Sequence, residues 1–244
     1  MQDNDHQSPE PGCIAAIMPA AGSGRRFGND RNKLFSTLAG RPLWYHSAVR
    51  LSVSDQIGRI VMPIAPRDRD TFAAEYRSLI DELEIELVDG GSQRTDSVHA
   101  GLEAIGEDAA IKRIAVHDAA RPLVSREDLA RVFAAAAQTG AAILATPVSG
   151  TLKRDLGNGA SCETVDRRDL WIALTPQVFS VDLLRRAYQR HRGCGATDDA
   201  QLVERIGHPV TLVRGSADNI KITHPEDLAL AAAILARQDS EYQP

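Results

Sequence analysis

Near its N-terminus the chain carries a run of small residues that leads straight into cations. Pro19-Ala20-Ala21-Gly22-Ser23-Gly24 is followed by Arg25, Arg26, Phe27 and Gly28, with Lys33 beyond. Small residues let backbone N–H groups approach an anion closely, and three cations around such a nest would hold a polyphosphate. A nucleoside triphosphate brings about four negative charges, so a chain of net charge −5 needs a local cluster of this kind to attract one. Neither named phosphate loop fits. The dinucleotide fingerprint requires a third glycine where Phe27 stands, and a Walker loop requires a Gly-Lys-Ser/Thr that is missing here. The glycines alone would serve equally as a strand-to-loop turn with solvated arginines; glycines and cations together favour phosphate binding.

Composition narrows the class. The 244 residues are 43% hydrophobic and 25% charged, enough apolar material for one α/β domain with a real core. Lys and Arg number 28 against 33 Asp and Glu, a poor balance for coating nucleic acid. Cys13, Cys162 and Cys194 lie far apart without a CxxC pair, which fits a reducing cytoplasm better than a disulfide framework or a zinc site. Residues 1–12 are polar and lack the basic and apolar regions of a secretory signal, so they read as a frayed tail. The apolar stretch Leu228 to Ala236 is far short of the roughly 20 residues a membrane span needs.

The elements that must position the loop alternate. Strands are expected at Ile14–Pro19, Arg59–Ile64, Ile85–Val88, Ile111–Val116, Ala141–Val148, Val210–Val213 and Asn219–Ile222. Helices are expected at Leu43–Val53, Asp68–Leu79, Thr95–Ile105, Arg126–Ala137, Val181–Gln189, Asp198–Ile206 and about Pro225–Arg237. Ser125 with Asp128, and Thr223 with Glu226, have capping-box spacing. This rhythm implies a parallel sheet with crossover helices on both faces, and puts the small-residue loop at the mouth of its binding crevice. The rhythm breaks between Ser149 and Leu170, a charged, glycine-bearing stretch that suits a lid, an arm or a disordered insertion. The expected organisation is a tail at 1–12, one domain over 13–237 with an arm at about 149–170, and a C-terminal tail at 238–244.

Further motifs stand in order along the chain: GGSQRTDSV at Gly90–Val98, VHDAARP at Val116–Pro122, TLKR at Thr151–Arg154, TVDR at Thr164–Arg167, LWIALTPQ at Leu170–Gln177, TDDA at Thr197–Ala200, and DNIKIT with HPEDL over Asp218–Leu228. With the loop and Lys33, they make the chain resemble the nucleotidyltransferases that activate sugar and alditol phosphates. More narrowly it is similar to the 2-C-methyl-D-erythritol 4-phosphate cytidylyltransferase family, from about Ile14 to Leu235. The resemblance implies a Rossmann-like nucleotidyltransferase fold, a mostly parallel twisted sheet with helices on both faces and a protruding dimerisation arm. It implies joining of the substrate phosphate to the α-phosphate of CTP, with release of pyrophosphate, in the non-mevalonate isoprenoid pathway. Mg²⁺ would ride mainly on the CTP phosphates.

By that resemblance Arg26, Lys33 and Lys221 stabilise the transition state, and Arg167 grips the substrate phosphate. Ala20, Ala21, Gly22, Ser23, Gly24 and Arg25 would line the nucleotide. Gly91, Ser92 and Ser97 would meet cytosine and ribose, with Asp118 and Ala119 at a strand end. Thr151, Arg167 and Thr175 would hold the methylerythritol phosphate, with Asp118 and Arg121 nearby, the arm reaching across a homodimer. Where the family usually carries proline before the lysine, this chain has Asn32, which should loosen the approach to Lys33. Ribitol 5-phosphate is the rival substrate, and a non-catalytic nucleotide-binding regulatory domain the rival class. On local sequence Arg167 could be a solvated neighbour of Arg168, and Asp118 a turn cap. His99, His117 and His191 have no metal-ligand spacing, so they read as structural or surface residues.

Overall fold

The computed structural model describes residues 10–22, 32–157, 159, 161–191 and 193–241. Ser23, Gly24, Arg25 and Arg26 lie outside those residues. Strand β1 (Ile14–Ile17) is wholly buried, with Ile14 and Ala16 in the apolar cluster of one sheet face and Ala15 and Ile17 in that of the other. A strand covered on both faces reads as an unbroken apolar run, which is why it was legible without alternation.

The chain continues through β2 (Thr37–Leu38), β3 (Arg41–Pro42), α1 (Leu43–Ser52), β4 (Ile57–Ile64), α2 (Arg69–Glu75), α3 (Arg77–Glu82), β5 (Ile85–Asp89), α4 (Arg94–Ile105) and β6 (Arg113–Val116). Then come α5 (Arg126–Thr139), β7 (Ala141–Pro147), β8 (Leu152–Asp155), β9 (Cys162–Val165), β10 (Trp171–Ser180), α6 (Val181–Arg190), α7 (Asp199–Arg205), β11 (Thr211–Arg214) and α8 (Asp227–Glu241). Seven strands form one sheet in the order β11-β7-β10-β6-β1-β4-β5. Residues of α1, α2, α3, α5 and α8 cover one face around Trp44, Phe72 and Phe133; residues of α4, α6 and α7 cover the other around Val98, Phe179 and Leu183. The fold is thus a doubly wound, mostly parallel α/β sheet.

One strand runs against the rest. β10 is antiparallel to both β6 and β7. The reason is its connection: Trp171 pairs with Pro147, so β7 and β10 are the two legs of a hairpin, and β8 with β9 forms an antiparallel pair beyond its end. A parallel return would need a crossover long enough to carry the chain back along the sheet. Leu156, Leu170, Trp171 and Ile172 stay exposed at and beyond this end of the hairpin.

Other expectations are corrected locally. The helix expected over Asp68–Leu79 breaks at Tyr76, whose ring stacks on Phe35 with centroids 5.4 Å apart. Asn219–Ile222 is no strand; it touches the sheet side through Ile222 N–H donating to Ala120 O at 2.9 Å. Ser125 Oγ does cap α5, accepting from Asp128 N–H, but the Asp128 carboxylate turns to Ser216 N–H and Arg131 instead of returning to the cap. Asp227, not Glu226, ties the start of α8, its Oδ2 accepting from Thr223 N–H and His224 N–H. That helix runs on to Glu241, and Gln238 is buried, donating to Leu123 O and accepting from Arg50. No helix among the described residues is long and apolar enough to cross a membrane.

Helix α4 seats on the sheet through a close approach. A Cβ added at Gly101 on α4 would lie 2.7 Å from Ile17 Cγ2 of β1, and Ile17 is fully buried. Gly101→Val should therefore overpack this contact and cost about 1–3 kcal/mol, read as a lower urea midpoint at unchanged m-value.

Candidate functional site

A cleft of about 740 Å³ opens where β1, β4, β5 and β6 end, lined by the segments that follow each strand. After β1 the chain steps to β4 and then β5 on one side, and returns as β6 on the other, so the strand order reverses between β1 and β6. Ligand crevices of open α/β sheets form at such a reversal, because flanking loops part there.

Close backbone packing shapes the walls. Gly90 N–H donates to Ile64 O at 2.7 Å, and a Cβ at Gly90 would lie 2.6 Å from Ala21 Cβ and 3.0 Å from Ser97 Oγ. Only a glycine lets this loop close against the small-residue turn. Ser97 Oγ accepts from Gly91 N–H at 3.2 Å and faces Gln93 O at 3.2 Å, so its hydroxyl holds the glycine pair in shape. Four cations, Lys33, Arg67, Arg94 and Lys221, line the cleft against a single carboxylate, Asp118, among the described residues.

Asp118 is the hub of that charge. It is 8% exposed and meets Lys221 Nζ at 2.9 Å, Arg94 Nε at 3.4 Å and Arg121 Nε at 3.4 Å. Burial alone would raise its pKa, but Arg94, Lys221 and Arg121 together hold it well below the usual carboxylate range. It stays ionised at any working pH, so it orients cations and cannot serve as a proton donor. Arg94 also donates to Asp199 Oδ2 at 2.7 Å, and Tyr188 Oη donates to Asp199 Oδ1 at 2.5 Å. Burial works to lower the Arg94 pKa, yet Asp199 and Asp118 raise it overall, so its charge is secure. Lys33 Nζ donates to Ile222 O at 2.6 Å, the residue after Lys221, which joins the two lysine-bearing segments.

The sequence pattern of the 2-C-methyl-D-erythritol 4-phosphate cytidylyltransferase (IspD) family matches residues 14–237. The chain belongs to this family. It is 52% identical over 238 residues to the enzyme of that name from Rhodopirellula baltica, covering 94% of this chain and 97% of the relative. It is also similar to the solved structure of the Thermus thermophilus enzyme, with 38% identity, a TM-score of 0.73 and coverage of 92% and 98%. The 4-diphosphocytidyl-2C-methyl-D-erythritol synthase of Anaerococcus prevotii superposes with a TM-score of 0.76 at 28% identity, covering 91% and 98%.

Of the residues marked by the family resemblance, Ala20, Ala21, Gly22, Lys33, Gly91, Ser92, Ser97, Asp118, Ala119 and Lys221 line the one cleft. Arg121 and Thr175 lie behind it. Arg121 donates to Asn219 O at 2.8 Å, and Thr175 Oγ1 accepts from Asp118 N–H at 3.0 Å, so both brace the carboxylate. Thr151 and Arg167 stand exposed at the hairpin end, where Arg167 donates to Ser149 O, and neither lines the cleft. Arg94 was missed, although it sits inside the GGSQRTDSV motif; its charge was the available signal. Asn32 was misjudged. It does not loosen Lys33, because its side chain accepts from Leu34 N–H and donates to Asp68 and Ala20 O.

His117 is structural, fully buried beside the hub. Thr175 Oγ1 lies 3.1 Å from Nδ1 and Arg121 O lies 3.0 Å from Nε2. Since Thr175 already accepts from Asp118 N–H, its hydroxyl proton is best spent on Nδ1, leaving Nε2–H to donate to Arg121 O. Burial lowers its pKa from 6.5 to about 4. The unfolded chain therefore binds the extra proton first, and the stability tied to a neutral ring is lost as pH falls from 6.5 towards 4. The loss reaches about 3 kcal/mol at the low end. Urea unfolding at pH 7 and pH 5 should show a smaller drop for His117→Asn than for the wild type; equal drops would refute the assignment.

Proposed function

We propose that the cleft binds CTP with its triphosphate against Ala20, Ala21 and Gly22, and joins the phosphate of 2-C-methyl-D-erythritol 4-phosphate to its α-phosphorus. A substrate phosphate oxygen bonds to the α-phosphorus, the bond to the bridging oxygen breaks, and pyrophosphate leaves. The product is 4-diphosphocytidyl-2-C-methyl-D-erythritol, an intermediate of non-mevalonate isoprenoid synthesis. The observation that carries this reading is the excess of cations over carboxylate at the strand ends. The nucleophile is already an anion, so no general base is needed; the task is to bring two anions together and to neutralise charge growing on the α-phosphoryl oxygens. Lys33, Lys221 and Arg26 supply that charge, and Asp118 aims Lys221 while holding Arg94 and Arg121 in place. A regulatory domain without turnover would have no use for so many cations converging on one spot.

Mg²⁺ belongs to the proposal only as a companion of CTP. No group of three His, Cys, Asp or Glu among the described residues could hold a metal, and Asp118 is engaged by cations. The triphosphate oxygens are the donors that fit it, and there it would draw charge from the leaving pyrophosphate.

The arm completes the proposal. Thr151 and Arg167 do not line their own cleft, and the apolar side chains of Leu156, Leu170, Trp171 and Ile172 are exposed around them. A homodimer in which each hairpin end reaches the partner's cleft would cover those side chains and bring Arg167 to the substrate phosphate. A cytoplasmic location accords with three free cysteines, two of them exposed.

Pyrophosphate release should require CTP with methylerythritol phosphate, with ATP, GTP and UTP inactive; faster release with ribitol 5-phosphate would overturn the substrate. Lys221→Ala should lower kcat about 10²-fold, the size of losing one pre-placed donor of transition-state charge. Mixing inactive Arg26→Ala and Arg167→Ala chains should restore activity in part of the mixed dimers. No recovery despite verified subunit exchange would count against the shared site.

A further inference from the structure

Asn32 makes an unusual set of bonds for a residue with no assigned chemistry. It is 5% exposed, and its one amide closes its own turn and reaches two other segments. Oδ1 accepts from Leu34 N–H at 3.1 Å, while Nδ2 donates to Asp68 Oδ2 at 2.8 Å and to Ala20 O at 3.3 Å. Ala20 precedes the glycine-rich segment and Leu34 follows Lys33, so the amide ties one end of that segment to the other. Asp68, 7% exposed, anchors the tie to the segment after β4, and its Oδ1 faces Arg67 Nε at 3.8 Å.

Burying an amide and a carboxylate is costly, and apolar side chains of similar size would give comparable packing at less cost. What polar groups add is direction. A side chain with two donors and an acceptor can fix three backbone positions at once, which no aliphatic residue can do. The backbone fixed here is the short 3₁₀ turn Lys33–Phe35, and the first residue of that turn sends its ammonium to Ile222 O at 2.6 Å, beside Lys221.

We propose that Asn32, with Asp68 behind it, is a positioning residue for cytidylyl transfer: it holds the backbone of Lys33 so that the ammonium projects into the cleft. This rests on the role proposed for Lys33. An Asn32→Ala chain should lose about tenfold or more in kcat at saturating CTP while KM for methylerythritol phosphate stays within about twofold, since misplacement of a catalytic group by about 1 Å is enough for such losses. Asn32→Asp should lose as much, because two carboxylates then face each other. The exchange Asn32→Asp with Asp68→Asn restores a donor opposite an acceptor at that contact, though not the bond to Ala20 O, and should recover part of the kcat that Asn32→Asp loses.

A readout independent of turnover reports the same geometry. Labelling by an amine-directed reagent, followed by mass spectrometry of the Lys33 peptide, should speed several-fold in Asn32→Ala and return towards the wild-type rate in the exchanged pair. Wild-type kcat in Asn32→Ala with only a lower Tm, or an exchanged pair no better than Asn32→Asp, overturns the proposal, as does unchanged labelling of Lys33. A wild-type chain that releases no pyrophosphate from CTP overturns the cytidylyl reading instead, and the labelling still decides the role of Asn32.

Discussion

The structure turns on one buried carboxylate that gathers three cations. Asp118 draws Arg94 from the start of α4, Arg121 from the loop after β6 and Lys221 from the segment before α8. An isolated buried carboxylate would be neutralised by desolvation, and isolated buried cations would be expelled to solvent. Asp118 and Arg121 tolerate burial because each has the other, while Lys221 stays exposed at the cleft, and the arrangement leaves net positive charge facing the cleft. A pocket built this way accepts a polyanion without any need for a basic protein: the chain as a whole has net charge −5.

Keeping that hub rigid occupies much of the surrounding fold. Asp118 N–H is held by Thr175, whose hydroxyl also reaches His117, and the far side of Arg94 is held by Asp199, which in turn accepts from Tyr188 Oη. Gln177 Oε1 accepts from the N–H groups of Asp199 and Ala200, so the antiparallel strand β10 is tied to the start of α7 as well. Strand β10 therefore does two jobs. It carries Thr175 and Gln177 to the hub, and it anchors the hairpin whose end bears Thr151 and Arg167. A parallel strand in its place could not form a hairpin with β7.

Glycines and amides set how closely the walls approach. Gly90 has no room for a Cβ against Ala21, and Gly101 has none against Ile17, so the small-residue turn and α4 are seated by absent side chains. Asn32 does the complementary work with a present one. An asparagine before the lysine can restrain it as well, because one bond of its side chain closes the local turn and two others tie the segment to Ala20 and Asp68.

By itself the sequence determined the parallel strands of the sheet and the class of chemistry. Ile14–Ile17, Ile57–Ile64 and Ala141–Pro147 show as apolar runs, and Leu43–Ser52 and Arg126–Thr139 show helical periodicity, because burial imprints each element's own period on its residues. Lys33, Lys221 and Asp118, marked by motifs that resemble the family's in order, do line one cleft. Only the tertiary structure showed that Trp171–Ser180 is a strand at all and set its direction, and only it decided the coil at Asn219–Ile222, the break at Tyr76 and the partners of Arg94 and Asn32. These features depend on groups far apart in the chain: Arg94 meets Asp199 across 105 positions, and Asn32 meets Asp68 across 36. Local pattern records which face of an element is buried; what a buried polar group bonds to is settled only when distant segments meet.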